Sequence, residues 1–260
     1  MLSIFTTCRP FNDESDDGRY IAAIQRYCLR TLKETGQEVF LVYDDGGASE
    51  VAAEFNFKTL KRVRRHASGA PSLRYAFKAA IKAATHDVIM YTNADIMFLD
   101  DLLPAVEALQ SRGFEKWMAT GGRWDVSPLG LKPWPVGETG WQRILRDEMH
   151  RQNRFHGGGA LDYFIFSRGL YEDIPASLAI GAWKWDNWMI WQALQKNAEV
   201  IDTSAAITAV HLDHPKKGAR ESSEAVAANH AECQGKVCTT SNSQWRLTKE
   251  FEFVKRDETA

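Results

Sequence analysis

The chain predicts an α/β domain on a mainly parallel sheet, and three observations carry that prediction. Short apolar runs alternate with amphipathic helical stretches through the first half of the chain. Several of the runs are apolar on consecutive positions, as strands covered on both faces require. The same runs end on acids, amides or hydroxyls, which are the residues that meet ligands beyond the carboxyl ends of parallel strands. At 260 residues, 44% apolar and 25% charged, the chain can bury an ample core, and its net charge of −2 makes no case for a nucleic-acid partner.

The elements follow in order. "LSIFTTC" (2–8) is a first strand, followed by a loop with Arg9, Pro10 and a cluster of acids. Ile21, Ile24, Cys28 and Leu32 recur at helical spacing, and Gly36 supplies a C-terminal cap. "EVFLVYDDGG" is a second buried strand closing on Asp44-Asp45-Gly46-Gly47, and a shorter strand lies around "FKTLKRV". Pro71 opens a helix whose Leu73, Ala76, Phe77, Ala80, Ile81 and Ala84 form one apolar face. "DVIMYTNADIMF" (87–98) is a central strand ending on Asn93-Ala94-Asp95, and a helix from Asp100 carries Pro104 in its first turn.

The second half is patterned differently. "KWMATGGRWDV" is predicted as one strand, and some thirty residues rich in Gly, Pro and Trp follow without steady periodicity. Next come a strand, "LDYFIFSRG", a helix apolar on nearly every side, "AWKWDNWMIWQALQ", and strand segments in "VIDTSAAITAVHLDH". Beyond Pro215 the chain turns polar, with a helix-like "ESSEAVAANHAEC" and an alternating "FEFV". This divides the chain into a domain over 1–214, with halves at about 1–112 and 113–214, and a polar extension over 215–260.

By position, Thr6, Thr7, Asp44, Asp45, Asn93 and Asp95 end strands and are site candidates. Asn93 and Asp95 together can hold a divalent cation that bridges a diphosphate, because Mg²⁺ and Mn²⁺ prefer oxygen ligands and keep open positions for phosphate. The simpler alternative is an Asx turn leaving the strand. Dinucleotide, P-loop, serine-hydrolase and H-E-x-x-H zinc signatures are absent. The four cysteines show no metal-binding spacing and are expected as reduced core thiols. No leader or membrane-spanning run is visible, so a cytoplasmic protein is expected.

Taken in order, "FTTCRPF", "VYDDGG", "NAD" and "FIFSRGLYEDIP" leading to "WDNW" resemble the GT-A-fold glycosyltransferases of the family-2 type, over roughly residues 1–214. The resemblance implies transfer of a sugar from a UDP- or GDP-linked donor to a hydroxyl of a glycan or other acceptor, assisted by Mn²⁺ or Mg²⁺. It implies that Thr6, Thr7, Arg9, Asp44 and Asp45 contact the nucleotide, with Ser72 and Arg74 as helpers. Asp95 is then the principal metal ligand, Asn93 touches the sugar or a bound water, and His211, ahead of His214, is a further metal ligand. Asp186 takes the place of the general base in an inverting displacement, with Asp162 and Asp125 in reserve. "NAD" departs from the usual acid-x-acid motif at Asn93.

The acceptor is expected to meet Arg123, Trp124, Trp134, Trp141, His156 and Asp162. Trp183, Trp185, Trp188 and Trp191 are expected in the core, as helix-spaced tryptophans usually are. Two other readings stand beside this one: a sugar nucleotidyltransferase, which the acidic "CRPFNDESDDG" loop disfavours, and a non-catalytic nucleotide- or carbohydrate-binding module on the same fold.

Overall fold

The computed structural model describes residues 1–43, 46–61, 64–66, 69–128, 136–214 and 224–256. In chain order the elements are β1 (Leu2–Thr7), α1 (Asp16–Glu34), β2 (Glu38–Tyr43), α2 (Ala48–Phe55), β3 (Lys58–Lys61), α3 (Leu73–Ala83), β4 (Val88–Asn93), β5 (Ile96–Phe98), α4 (Leu102–Ser111), β6 (Trp117–Thr120) and β7 (Arg123–Val126). They continue as α5 (Trp141–Gln152), β8 (Phe155–His156), β9 (Tyr163–Ser167), α6 (Trp185–Gln195), β10 (Glu199–Asp202), β11 (Ala209–Leu212), α7 (Glu224–Glu232), β12 (Trp245–Leu247) and β13 (Phe253–Lys255).

A nine-stranded sheet in the order β13-β12-β10-β6-β9-β4-β1-β2-β3 forms the middle layer, and β9 and β13 run against the rest. Because strand side chains alternate, consecutive apolar residues feed two cores at once. Leu2, Ile4, Val39, Leu41, Val88 and Met90 pack under α1, α2 and α4 on one face. Phe5, Phe40, Val42, Ile89 and Tyr91 pack under α3 and α6 on the other. The second core is aromatic: Phe77 of α3 stands edge-on to Phe5 at 4.8 Å and stacks on Tyr91 at 5.4 Å, with Trp185 of α6 edge-on to Tyr91 at 5.3 Å. Each such ring contributes about 1.5–3 kcal/mol by leaving water.

A second sheet, in the order β5-β11-β7-β8, sits beyond the carboxyl-terminal edge of the first and packs one face on α1 and α5. The chain steps from the large sheet to the small one three times, at β4 to β5, β6 to β7 and β10 to β11. The predicted single strand "KWMATGGRWDV" is in fact two strands in different sheets, parted at Gly121-Gly122. A methyl on Gly121 would overlap the Tyr163 hydroxyl and stand 2.8 Å from the Ser204 nitrogen, and one on Gly122 would lie 2.8 Å from the His156 carbonyl.

Other expectations need correcting. Of the acids before Arg19, Asp16 and Asp17 belong to the first turn of α1, capped by the Ser15 hydroxyl accepting from Gly18 N, where negative charge meets the helix dipole favourably. Two helices were missed. In α2, Ala48, Val51, Ala52 and Phe55 form a complete but short apolar stripe. In α5, the predicted irregular segment, Trp141, Leu145 and Met149 bury one narrow face among charged residues. The polar extension is part of the same sheet, because β12 pairs with β10 and β13 closes that edge. All four cysteines are free thiols.

Gly121→Ala should destabilise the protein by about 1–3 kcal/mol through overpacking against a backbone that cannot retreat. Denaturant unfolding of the variant checks this, and an unchanged midpoint would show that the strand break tolerates a side chain.

Candidate active site

The three steps between sheets converge on one cluster. Asp95 lies in the turn from β4 to β5, Arg123 and Asp125 lie on β7, and His211 lies on β11. β11 pairs with β7 in a register that sets His211 directly beside Asp125, and with β5 so that His211 opposes Ile96. Asp162 precedes β9, the antiparallel strand, so it starts at the edge where β4 ends, and the Asn93 N–H donates to its carbonyl at 2.9 Å.

Asp95 carries two histidines. His214 Nε2 is 3.1 Å from its Oδ2 and His211 Nε2 is 3.8 Å away. His214, ranked second on the sequence, is therefore the nearer. Burial alone would raise this carboxyl's pKa, but the His214 hydrogen bond and the charges of His211, His214 and Arg123 outweigh it and bring it down to about 2. Its Oδ1 is buried with no hydrogen-bond partner.

Among the described residues, two groups of side chains come close enough to share a cation: Asp95, His211 and His214, and Asp125, His211 and Asp213. The second group is already neutralised. Arg123 Nε lies 3.0 Å from Asp125, and Arg154 lies 2.5 Å from Asp213. Among the described residues Asp95 has no arginine hydrogen-bonded to it, and it keeps a bare, buried oxygen. One carboxylate and two imidazoles about 3–4 Å apart suit a divalent cation with metal–ligand bonds of roughly 2.1 Å, leaving positions for phosphate oxygens. The first group fits a metal; the second does not.

A polar chain runs from β1 to this cluster. Thr7 Oγ1 lies 3.1 Å from the Tyr91 hydroxyl, which donates to Asn93 Oδ1 at 2.9 Å. Asn93 Nδ2 donates to Asp162 Oδ1 at 2.7 Å, and Arg123 bridges Asp162 and Asp125. Asp125 in turn holds His211 Nδ1 at 3.0 Å and His156 Nδ1 at 3.3 Å. Tyr91 was not foreseen, because in sequence it is one more apolar residue of a buried strand.

The remaining candidates divide. Thr6 and Ser72 are buried with hydroxyls that have no partner, and Arg9 Nη1 is buried and equally unpartnered. The Arg9 main chain is held by Gln25 of α1, whose amide accepts from its N–H at 2.7 Å and donates to its carbonyl at 3.2 Å. Arg74, in the first turn of α3, makes no polar contact among the described residues. Asp44, Asp45 and Trp134 lie outside the described residues.

Two acceptor candidates are corrected. Trp124 alternates away from Arg123 and Asp125 and packs against Phe155 at 5.1 Å and His150 at 6.2 Å. Trp141 starts α5, is buried, and donates its indole N–H to Glu34 at 3.1 Å. Trp183, expected in the core, stands before α6 and is 56% exposed.

Asp186 occupies the first turn of α6, half-buried, its Oδ1 accepting from Asn187 N at 3.0 Å. Burial, helped by the charge of Asp162, pushes its pKa up to about 6. The segment leading to it is held by α7. Asn229 there is fully buried; it accepts from Ala179 N and donates to the carbonyls of Ala179, Ala182 and Trp183 at 3.0–3.2 Å.

No family model matches the chain, and no curated protein matches it. Solved structures match its fold. Glucosyl-3-phosphoglycerate synthase from Mycobacterium tuberculosis, in complex with Mn²⁺, uridine diphosphate and phosphoglyceric acid, aligns at a TM-score of 0.51 with 13% identity, covering 90% of this chain and 78% of that one. The same synthase with Mn²⁺ and UDP-glucose aligns at 0.52 with 11% identity over 98% and 86% of the two chains. With Mg²⁺ and uridine diphosphate the values are 0.52, 12%, 98% and 87%. The chain has the GT-A fold of nucleotide-diphospho-sugar transferases. No helix among the described residues is long and apolar enough to cross a membrane.

A raised carboxyl pKa in the folded state means that the native protein binds a proton more tightly than the unfolded chain. Stability is therefore lost as pH rises from the unfolded value near 4 through about 6. Asp186→Asn removes that cost, of order 1–3 kcal/mol. Its melting temperature should exceed that of the unaltered protein by a few degrees at pH 8 and match it at pH 4.

Proposed function

We propose that the chain is a glycosyltransferase that moves a sugar from a UDP-linked donor to an acceptor hydroxyl with the help of a divalent cation. The observation that carries this reading is Asp95, an ionised, half-buried carboxylate with one bare, buried oxygen and two histidines, at the carboxyl edge of a GT-A sheet. That edge is where open α/β sheets bind nucleotides. The proteins of like fold were solved with uridine diphosphate or UDP-glucose and Mn²⁺ or Mg²⁺.

In this reading Asp95, His211 and His214 hold Mn²⁺ or Mg²⁺, which when bound supplies positive charge to the diphosphate leaving group. Arg9 and Arg74, neither of which pairs with a carboxylate among the described residues, add positive charge for the departing diphosphate. Thr6 and Ser72 offer donors for the nucleotide. On the acceptor side, Asp186 takes the proton of the attacking hydroxyl. A carboxyl group with a pKa near 6 is ionised at neutral pH yet basic enough to share that proton in the transition state. A single displacement of this kind inverts the anomeric configuration, and a product with retained configuration would remove Asp186 from the role.

Thermal shift with UDP, with and without Mn²⁺, followed by UDP release from UDP-glucose, tests the reading. Stabilisation that requires Mn²⁺ is expected, and Asp95→Ala should abolish it. Asp186→Asn should keep the shift and lose at least 100-fold in transfer, on the order of a general-base contribution. No response to UDP sinks the proposal, and binding without turnover on any acceptor hydroxyl favours a binding module on the same fold.

A further inference from the structure

Asn93 stands where a second acid would complete the usual acid-x-acid pair, so it invites interpretation as a weakened metal ligand. Its hydrogen bonds say otherwise. The side-chain oxygen accepts from Tyr91 at 2.9 Å, and the side-chain nitrogen donates to Asp162 at 2.7 Å. An amide can serve both neighbours because it carries one acceptor and one donor group. A carboxylate could accept from Tyr91 but would face Asp162 with like charge.

From Asn93 the contacts run on without a gap. Asp162 is oriented by the Asn93 amide and holds Arg123 through its other oxygen. Arg123 reaches across to Asp125 at 3.0 Å, and Asp125 lies 3.0 Å from His211 Nδ1. With Nδ1 engaged as a donor, Nε2 is the nitrogen presented to Asp95 and to a cation there. An outer carboxylate that selects the tautomer and the ring orientation of a metal-binding histidine commonly contributes 10- to 100-fold to metal affinity.

We infer that Asp125 and Asn93 are positioning residues for the metal site: Asp125 orients His211, and Asn93 holds the Asp162–Arg123 pair that keeps Asp125 in place. The inference rests on the metal-holding role proposed above for Asp95, His211 and His214. It has a consequence opposite to that of the motif. Asn93→Asp, which restores an acid-x-acid pair, gains no metal affinity. Its two oxygens would take the places of the amide atoms that meet Tyr91 at 2.9 Å and Asp162 at 2.7 Å, so neither is freed for a cation.

Electron paramagnetic resonance of free Mn²⁺, titrated with full-length protein and UDP at one fixed pH, tests this. Asp125→Asn should weaken Mn²⁺ binding by roughly 10- to 100-fold. In metal-free protein, at a pH high enough that the ring is neutral, ¹⁵N shifts of the His211 imidazole should place its one proton on Nδ1, and Asp125→Asn should redistribute it. A purely structural role would lower the melting temperature and leave both readouts unchanged, overturning the proposal. Asn93→Asp, which preserves size, should bind Mn²⁺ no more tightly than the unaltered protein; tenfold tighter binding would make position 93 a ligand site and overturn the proposal. If the unaltered protein binds no Mn²⁺, the metal reading itself fails. Normal Mn²⁺ binding in all three proteins sinks only the positioning role.

Discussion

Asp95 stands as an ionised, half-buried carboxylate with one oxygen out of water at the carboxyl edge of the large sheet, and the architecture around it follows from keeping it charged. Removing a carboxylate from water costs several kcal/mol unless cations and donors replace the lost hydration. Here the compensation comes from Arg123 on β7 and from His211 and His214 on and just after β11, two segments far apart in the chain. Each arrives because the chain leaves the large sheet at its carboxyl edge and enters the small one. The small sheet is therefore the frame that brings positive charge to the end of β4, and its own apolar face is sealed by α1 and α5.

The other half of the site depends on the end of the chain. Asp186 lies at the start of α6, and α7 grips the preceding loop through one fully buried amide. Asn187, the next residue, donates to the carbonyl of Cys238 at 2.6 Å, so the segment after α7 pins the same helix start from a second side. β12 and β13 then extend the sheet beyond β10. The residues that set the geometry of the proposed base thus come last in the chain, and a protein shortened after residue 214 would leave Asn187 and the 179–183 loop without these partners.

Much of this was legible in sequence. Strands covered on both faces show as continuous apolar runs with polar ends, so position alone sets Asp95, Asn93 and Thr7 at the carboxyl edge of the sheet. Long amphipathic helices such as α1 and α3 announce themselves by spacing. The short stripe of α2 and the narrow one of α5 did not, although Ala48, Val51, Ala52 and Phe55 do carry the period. The sequence groups Trp124 with the Gly/Pro loop expected at the acceptor, and only the pairing of β7 into the second sheet turns its ring away from Arg123 and Asp125 onto Phe155 and His150.

By itself the sequence determined the α/β class, the succession of the central strands along the chain, the longer helices α1, α3, α4 and α6 and the carboxylate at the end of β4, because periodicity and strand ends are local properties of the chain. The tertiary structure alone decided the rest: that His214 stands closer to Asp95 than His211 does, that Asn93 spends its amide on Tyr91 and Asp162, and that Asn229 secures the approach to Asp186. Apart from the Tyr91 contact, these depend on which residues meet after segments 46 to 119 positions apart are brought together. No local pattern encodes that pairing. It is set by the packing of two sheets and the need of each buried polar group for a partner.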